Sequence, residues 1–119
     1  MSKKIQKTWL FWFEEMRESL DKILIIHKES GRDQFFNDFR DHDSVLMNLA
    51  NIGEAVTHIP DSIKEKYADV EWRKIKDLRN VIAHDYPGVD LAEIWMVMEK
   101  DIPILKTQIL YILKEEDQS

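Results

Sequence analysis

Residues 9–27 read WLFWFEEMRESLDKILIIH and carry the helical pattern from which the rest of the fold can be worked out. Apolar side chains recur there at steps of three and four residues, so they share one face of a helix and leave the other face charged. The pattern predicts a long amphipathic helix that ends at Ser30-Gly31, where glycine can adopt a left-handed cap conformation. The residues predicted to face inward are Trp9, Trp12, Phe13, Met16, Leu20, Ile23, Leu24 and His27.

Three further main helices are predicted downstream, and no stretch has the two-residue alternation of a strand. Pro60 ends the second helix, because proline cannot continue the helical hydrogen-bond ladder. Asp90 can cap the last helix, and Pro103 should kink or divide it. The sequence therefore predicts an all-α fold, an antiparallel bundle of four main helices plus short helices. The predicted spans are about 43–59, with Val45, Leu49, Ile52, Val56 and Ile59 inward, a short helix over 61–67, a third main helix carrying Trp72, Ile75, Leu78 and Ile82, and a last helix from Leu91 to Ile112.

The length and composition suit a single domain over residues 1–119, with an ordered core at about 5–114. The chain is 44% hydrophobic and has only three Gly and three Pro, which favours a helix bundle over disorder. Its two ends, Met1–Lys4 and Glu115–Ser119, are polar and are predicted to be unanchored. The chain has no Cys, which excludes disulfides, thiolate metal sites and a Cys nucleophile.

Hydropathy and charge restrict the environment and the partners. No stretch is long and apolar enough for a membrane span and no signal peptide opens the chain, so a cytoplasmic protein is predicted. The net charge of −6 argues against indiscriminate nucleic-acid binding, whose affinity comes mainly from neutralised phosphates. RNA binding would need a local basic surface, for which residues 64–79 are the best candidate. The alternative is that these cations lie on a solvated helix face with no binding role. The cations of this segment are Lys64, Lys66, Arg73, Lys74, Lys76 and Arg79, set against Glu65, Asp69, Glu71 and Asp77.

The segment 79–86 reads RNVIAHDY and contains the groups best suited to chemistry. Asn80 and His84 are four residues apart and therefore share a helical face. Arg79 and Tyr86 are seven apart and share a neighbouring stripe if the helix persists that far. His84 lies at the predicted helix C-terminus, where the helix dipole favours its protonated form.

These side chains match the needs of RNA cleavage by attack of the 2′-hydroxyl. Histidine, here His84, can take or give a proton in catalysis, while the guanidinium of Arg79 presents a fixed fork of donors that matches phosphoryl oxygens. Asn80 can orient either group, and the chemistry requires no metal. One His and one Arg per chain are few groups for this reaction, so we expect a two-fold dimer that places two copies of them side by side. On spacing alone, a surface histidine and a salt-bridging arginine would look the same.

Gly53 stands inside the second predicted helix, where glycine destabilises by about 1 kcal/mol relative to Ala. Close approach of a neighbouring helix would explain a glycine at this position. Glu54 beside it would then face a cation and have a supporting role. Packing alone is a sufficient alternative.

Other polar and aromatic residues favour structural roles. Asp41-His42-Asp43 is interpreted as an N-terminal cap cluster, since consecutive residues diverge and metal ligands must converge. His27 and His58 are interpreted as ordinary amphipathic positions. Tyr86 is the best candidate for stacking on a base. The tryptophans Trp9, Trp12, Trp72 and Trp95 are expected in the core or at a dimer interface.

The motif R-N-x-x-x-H-x-Y of residues 79–86 resembles that of the HEPN superfamily, in the form found in its HepT-like toxin branch. Residues 51–55, NIGEA, look like the I-G-E-A helix motif of the same branch. The likeness runs from about Leu10 to Leu110, and includes Trp72, Asp90, Trp95 and the 101–103 segment. One departure is Met47, which stands where a basic residue is frequent, and this affects a secondary RNA or partner contact.

The resemblance implies an all-α homodimer with a composite cleft at its interface, which cleaves RNA without metal or cofactor as the toxin of a toxin–antitoxin pair. It also implies a cognate antitoxin, a minimal nucleotidyltransferase (MntA-like) that can inactivate the toxin by adding AMP to the motif tyrosine. Arg79 and His84 then become catalytic, Asn80 supports them, and Tyr86 becomes the modification site. The alternatives are a non-catalytic HEPN module that binds nucleotide or RNA or scaffolds a nucleotidyltransferase, and a structural helical adaptor.

Overall fold

The computed structural model describes residues 7–118, and over that range all regular structure is helical, which confirms the all-α prediction. The predicted start of the core at residue 5, and the predicted unanchored segment 1–4, lie outside the described residues. The helices are α1 (Leu10–Asn37), α2 (Phe39–Thr57), α3 (Asp61–Lys66), α4 (Trp72–His84), α5 (Leu91–Met96) and α6 (Ile102–Asp117), with a 3₁₀ turn at Tyr86–Gly88 and a π turn at Val97–Asp101.

The first helix is broken at Gly31, as predicted. Gly31 has φ 72° and ψ 168°, a backbone conformation that side chains with a Cβ avoid, and helical geometry resumes directly after it. The kink folds the aromatic end of α1 back over the bundle. Phe35 is fully buried there, with its ring centroid 5.5 Å from that of Trp95.

Helix α2 occupies the centre of the molecule, in contact with both α1 and α4. It begins at Phe39, four residues before the predicted start, because the Asp38 side chain accepts a hydrogen bond from the Arg40 backbone N–H and caps it. Helix α1 also packs on α6, so α4 forms an outer layer on α2. The predicted inward positions that are buried in α1 and α2 and just beyond are Phe13, Met16, Leu20, Ile23, Val45, Leu49, Ile52, Val56 and Ile59.

The C-terminal helical segment is divided near Pro103, as predicted. Asp90 caps α5 by accepting a hydrogen bond from the Ala92 backbone N–H. The π turn at Val97–Asp101 then leads into α6, with Pro103 in the first turn of that helix. Proline is tolerated at this position because the first residues of a helix need no N–H for an intrahelical bond. None of the helices within residues 7–118 has the length and apolar character that a membrane crossing requires.

The prediction that 115–119 is unanchored is wrong for Glu116. This residue is only 3% exposed, and its carboxylate accepts hydrogen bonds from Lys66 Nζ at 2.7 Å and Tyr67 Oη at 2.5 Å. Lys7 donates to its backbone carbonyl oxygen at 2.6 Å. The carboxylate therefore ties α6 to the end of α3, a contact between residues too far apart in sequence for local patterns to indicate.

Candidate functional site

The motif segment follows the inward residue Ile82, which is 4% exposed and seats α4 on α2. Because Ile82 points into the core, Asn80 and His84, which lie two residues before and after it, project from a different side of α4. Helix α4 ends at His84, and the backbone N–H of Asp85 donates to Val81 O as the last bond of the helix. His84 and Tyr86 are both exposed, so the polar groups of the motif lie at the surface.

Arg79 is held against α2 by Glu54. Arg79 Nη2 lies 2.5 Å from Glu54 Oε2, and Arg79 Nη1 donates to Asn80 Oδ1 at 3.2 Å. Gly53 makes this contact possible, because a Cβ at that position would lie 2.7 Å from Arg79 Cγ and overlap Arg79 Cβ. The close helix approach expected at Gly53 is therefore found, and the cation that Glu54 faces is Arg79.

The other oxygen of Glu54 faces His58. Glu54 Oε1 lies 3.5 Å from His58 Nε2, and the His58 ring stacks on Trp12 with centroids 3.9 Å apart and planes 6° from parallel. A row of four side chains thus runs from α1 to α4 through Trp12, His58, Glu54 and Arg79. His58 lies four residues after Glu54, at the C-cap of α2, so this ion pair is local in sequence. The stack on Trp12 is the contact that joins two helices.

Tyr86 contacts α2 at a different point. Its hydroxyl donates to Asp43 Oδ1 at 2.5 Å, and the side chain is partly exposed. Burial together with the Asp43 carboxylate raises the pKa of Tyr86 to about 12. The predicted stripe shared by Arg79 and Tyr86 is not formed, because α4 ends at His84 and Tyr86 begins the 3₁₀ turn.

The prediction that Asp41-His42-Asp43 caps a helix is wrong, since Asp38 caps α2 and these residues lie in its first turns. Their side chains fasten α2 to the end of α1 and to the motif. Within residues 7–118 no group of three or more His, Asp or Glu side chains is placed to hold a metal ion. The contacts are Asp41 with Ser30 at 2.7 Å and Gln34 at 3.0 Å, His42 Nδ1 with Phe35 O at 3.0 Å, and Asp43 with Tyr86.

Asp43, Met47 and Glu54 share one face of α2, since steps of four and seven residues return to the same side of a helix. Asp43 and Glu54 lie about 16 Å apart along the axis, at 1.5 Å per residue. Helix α2 therefore anchors Tyr86 and Arg79 at two separate points, Tyr86 through Asp43 and Arg79 through Glu54. His84 has no hydrogen-bond or ion-pair partner among residues 7–118.

From the sequence, Asp43 was assigned only a capping role. Its spacing from Glu54 on one face of α2 was visible in the sequence, but its partner Tyr86 was not.

Comparison with known proteins places the chain in a family. The family described as "Ribonuclease HepT-like" matches residues 16–112. A protein of Methanocaldococcus jannaschii named as a gamma-glutamylcyclotransferase and candidate RNase is 33% identical over 115 residues, and this chain spans 52% of it. No solved structure matches the chain.

Two further relatives are matched over most of their own length. A candidate RNase of Methanocaldococcus jannaschii is 29% identical over 109 residues, covering 92% of this chain and 97% of that protein. The probable ribonuclease HepT of Thermococcus cleftensis is 30% identical over 95 residues, covering 80% of this chain and 86% of that protein. The family match takes in both Arg79 and His84 and most of the described helices. The chain therefore belongs to the HepT-like ribonuclease family.

Proposed function

We propose that this chain is a metal-independent endoribonuclease, the toxin of a toxin–antitoxin pair acting on cytoplasmic RNA, with Arg79 and His84 as catalytic residues. The observation that carries the proposal is the arrangement of these two groups on α4. Glu54 and Asn80 hold the Arg79 guanidinium, while His84 remains exposed and unpartnered among the described residues. Membership of the HepT-like family supports the same reaction class.

The reaction follows from the chemistry of these groups. An imidazole accepts the proton of the 2′-hydroxyl as that oxygen bonds to phosphorus and the bond to the 5′-oxygen breaks. The guanidinium of Arg79 stabilises the charge that builds up on the non-bridging oxygens. The departing 5′-oxygen takes a proton from a second imidazole. The products are a 2′,3′-cyclic phosphate and a free 5′-hydroxyl.

A homodimer would supply the second imidazole at a composite cleft. Met47 is 66% exposed, and it lies on α2 between Asp43, which holds Tyr86, and Glu54, which holds Arg79. A second copy covering this apolar position would bring two motif segments face to face. A stable interface of this kind buries more than about 1,000 Å².

Sedimentation of charge-bearing variants tests the position of the dimer interface. Met47→Glu should dissociate the dimer, because it buries an unpaired charge. Ile104→Glu is the matched control, since Ile104 is 59% exposed and lines a separate cavity of about 550 Å³ between α4 and the C-terminal helices. Dissociation by Ile104→Glu alone would place the interface away from the motif and overturn the composite cleft.

Tyr86 is the proposed site of inactivation by a cognate minimal nucleotidyltransferase, which would add AMP to its hydroxyl. The side chain is 42% exposed, so a partner enzyme can reach it. The added phosphodiester would carry negative charge beside the motif, and its bulk would obstruct the cleft. Intact mass after co-expression with the nucleotidyltransferase should show AMP on the wild type. Tyr86→Phe, which keeps the ring but lacks the acceptor oxygen, should stay unmodified.

Cleavage of RNA in the presence of EDTA tests the catalytic proposal. His84→Gln should lower the rate by about 10²–10⁴-fold, and Arg79→Ala by about 10²–10³-fold, with the helical circular dichroism retained. His27→Gln is the matched control, because its imidazole packs on Trp95 and lies outside the motif. Activity that disappears with EDTA, or survives both motif substitutions, would contradict the mechanism.

A non-catalytic HEPN module that binds RNA or nucleotide is the second candidate. Two observations favour it. The net charge is −6, and the guanidinium of Arg79 is already paired with the carboxylate of Glu54. Under this alternative the purified protein would bind RNA without cleaving it, and His84→Gln would change neither property.

A further inference from the structure

The six cations of segment 64–79 separate into two sets in the folded protein. Three of them form ion pairs with carboxylates of the same chain. The other three have no carboxylate within ion-pair distance among residues 7–118. The paired cations are Lys66 with Glu116, Lys74 with Glu71 and Asp101, and Arg79 with Glu54, and the unpaired ones are Lys64, Arg73 and Lys76.

The three unpaired cations surround one cavity. It has a volume of about 490 Å³ and lies between α3, α4 and the C-terminal part of α2, which contributes Val56. Among residues 7–118, Asp77 alone contributes a carboxylate to its lining, so the wall is positively charged in a chain whose net charge is −6. The lining residues are Val56, Lys64, Trp72, Arg73, Lys76, Asp77 and Asn80.

The wall that carries these cations is held in place. The Trp72 indole N–H donates to Lys64 O at 3.2 Å and to Tyr67 O at 3.1 Å, which joins the end of α3 to the start of α4. Lys64 and Arg73 therefore lie on backbone segments that this indole holds together. An anion could bind at these side chains without having to order the backbone.

The cavity opens onto the candidate catalytic face. Arg73, Lys76, Asn80 and His84 are separated by three, four and four residues, which keeps them on one side of α4. Asn80 belongs both to the lining of the cavity and to the contacts of Arg79. Arg73 and His84 lie about 16 Å apart along the helix axis. A strand whose reactive phosphate is at Arg79 and His84 can therefore continue along α4 into the cavity.

We propose that this cavity binds backbone phosphates of the RNA strand next to the phosphate that is cleaved, with Lys64, Arg73 and Lys76 as their ligands. The inference rests on the proposed ribonuclease function and adds the path that the substrate takes across the surface. It also explains how a chain of net charge −6 holds RNA, since the phosphate contacts are concentrated on one helix face. The contacts are to the backbone, so they position the strand and do not select its sequence.

The salt dependence of RNA binding tests the proposal independently of cleavage. The probe is a labelled single-stranded RNA oligomer, bound to protein that carries His84→Gln so that it cannot be cut. Each phosphate contact contributes about 0.7 to the slope of log affinity against log salt for single strands. Arg73→Gln with Lys76→Gln should reduce that slope by about 1.4 and weaken binding about 25-fold at about 0.1 M salt.

The matched control removes the same charge elsewhere. Lys28→Gln with Lys114→Gln neutralises two exposed cations outside the cavity and should leave the slope unchanged. In protein with His84 intact, Arg73→Gln with Lys76→Gln should raise KM and preserve kcat, because both side chains act in binding. Equal slopes for the two double variants would overturn the proposal, even if cleavage is normal. RNA binding that is lost on neutralising the cavity, in a protein that cleaves nothing, would support this surface and reject the ribonuclease function.

Discussion

The hydroxyl of Tyr86 donates a 2.5 Å hydrogen bond to Asp43 Oδ1, which fastens the turn after α4 to the second turn of α2. The two residues are 43 positions apart in the chain. This contact directs the tyrosine towards α2 and places a carboxylate at the oxygen that is the proposed acceptor of AMP. If that oxygen bonds to phosphorus its proton must leave, and Asp43 already accepts it in a hydrogen bond.

Asp43→Asn should lower the pKa of Tyr86 from about 12 towards its ordinary value of 10.0, because a neutral amide no longer disfavours the phenolate. Part of the shift should remain, since burial raises the pKa as well. The measurement is an alkaline titration of tyrosinate absorbance, in which Tyr86→Phe identifies the transition of this residue. Superimposable curves for wild type and Asp43→Asn would show that the hydrogen bond is absent in solution.

Gly53→Ala should damage the candidate site by displacing Arg79. The new Cβ overlaps Arg79 Cβ and lies 3.3 Å from Ile75 O, so α2 and α4 must separate. We expect a loss of about 1–3 kcal/mol in unfolding free energy and about 10²-fold in RNA cleavage. Gly31→Ala is the matched control, because it strains a backbone at φ 72° but a Cβ there has open space. If both variants cleave equally well at equal stability, Gly53 has only a packing role.

Glu54→Gln should change the kinetics of RNA cleavage more than the stability of the fold. The exposed Arg79–Glu54 pair contributes about 0.2–1 kcal/mol, and the amide keeps the shape of the side chain. Without the carboxylate, RNA phosphates no longer compete with Glu54 for Arg79, so KM should fall. The guanidinium is also less well oriented, so kcat should fall about tenfold. Single-turnover assays beside Glu15→Gln, an exposed control, separate the two effects, and unchanged values of both would remove Glu54 from the site.

Glu116→Gln should destabilise the protein at neutral pH by about 1–3 kcal/mol, through the loss of charge-assisted hydrogen bonds from Lys66 and Tyr67. Burial alone would raise the pKa of Glu116, but these bonds and the charges of Lys66 and Lys7 outweigh it and hold the pKa below its ordinary value of 4.5. The stabilisation is therefore present above pH 4.5 and is lost as the pH falls through the lowered pKa.

Urea unfolding from pH 7 to pH 3 checks this prediction, with the exposed neighbour Glu115→Gln as control. The stability difference between wild type and Glu116→Gln should shrink as the solution is acidified. A difference that stays constant across this range would mean that the charge of Glu116 contributes nothing.

Local patterns accounted for much of the fold. The break at Gly31, the Asp90 cap and the division of the last helix near Pro103 each depend on a few neighbouring residues, and all three were predicted. The start of α2 was misplaced because Asp38 and Asp43 are equally good caps by residue type, and in the folded protein Asp38 accepts the capping hydrogen bond from the Arg40 N–H.

The residues of the candidate site also differ in how far the sequence could reveal them. Arg79, Asn80, His84 and Tyr86 were visible as a motif, since they are close in sequence and chemically distinctive. Their partners were less visible. Glu54 was expected to face a cation, but Tyr86 was not linked to Asp43, nor His58 to Trp12, because these contacts join residues from different helical elements.

By itself, the sequence determined where helices form, which faces they bury and which side chains are chemically competent. These properties follow from hydrogen bonding and side-chain spacing within a few residues. Only the tertiary structure decided that Tyr86 pairs with Asp43, that Glu116 anchors the last helix, and that three of the six cations of segment 64–79 have no carboxylate partner among residues 7–118. The reason is that ion pairs and hydrogen bonds depend on distance in space. Residues 43 or 50 positions apart are brought together by the packing of whole helices, which no local pattern specifies.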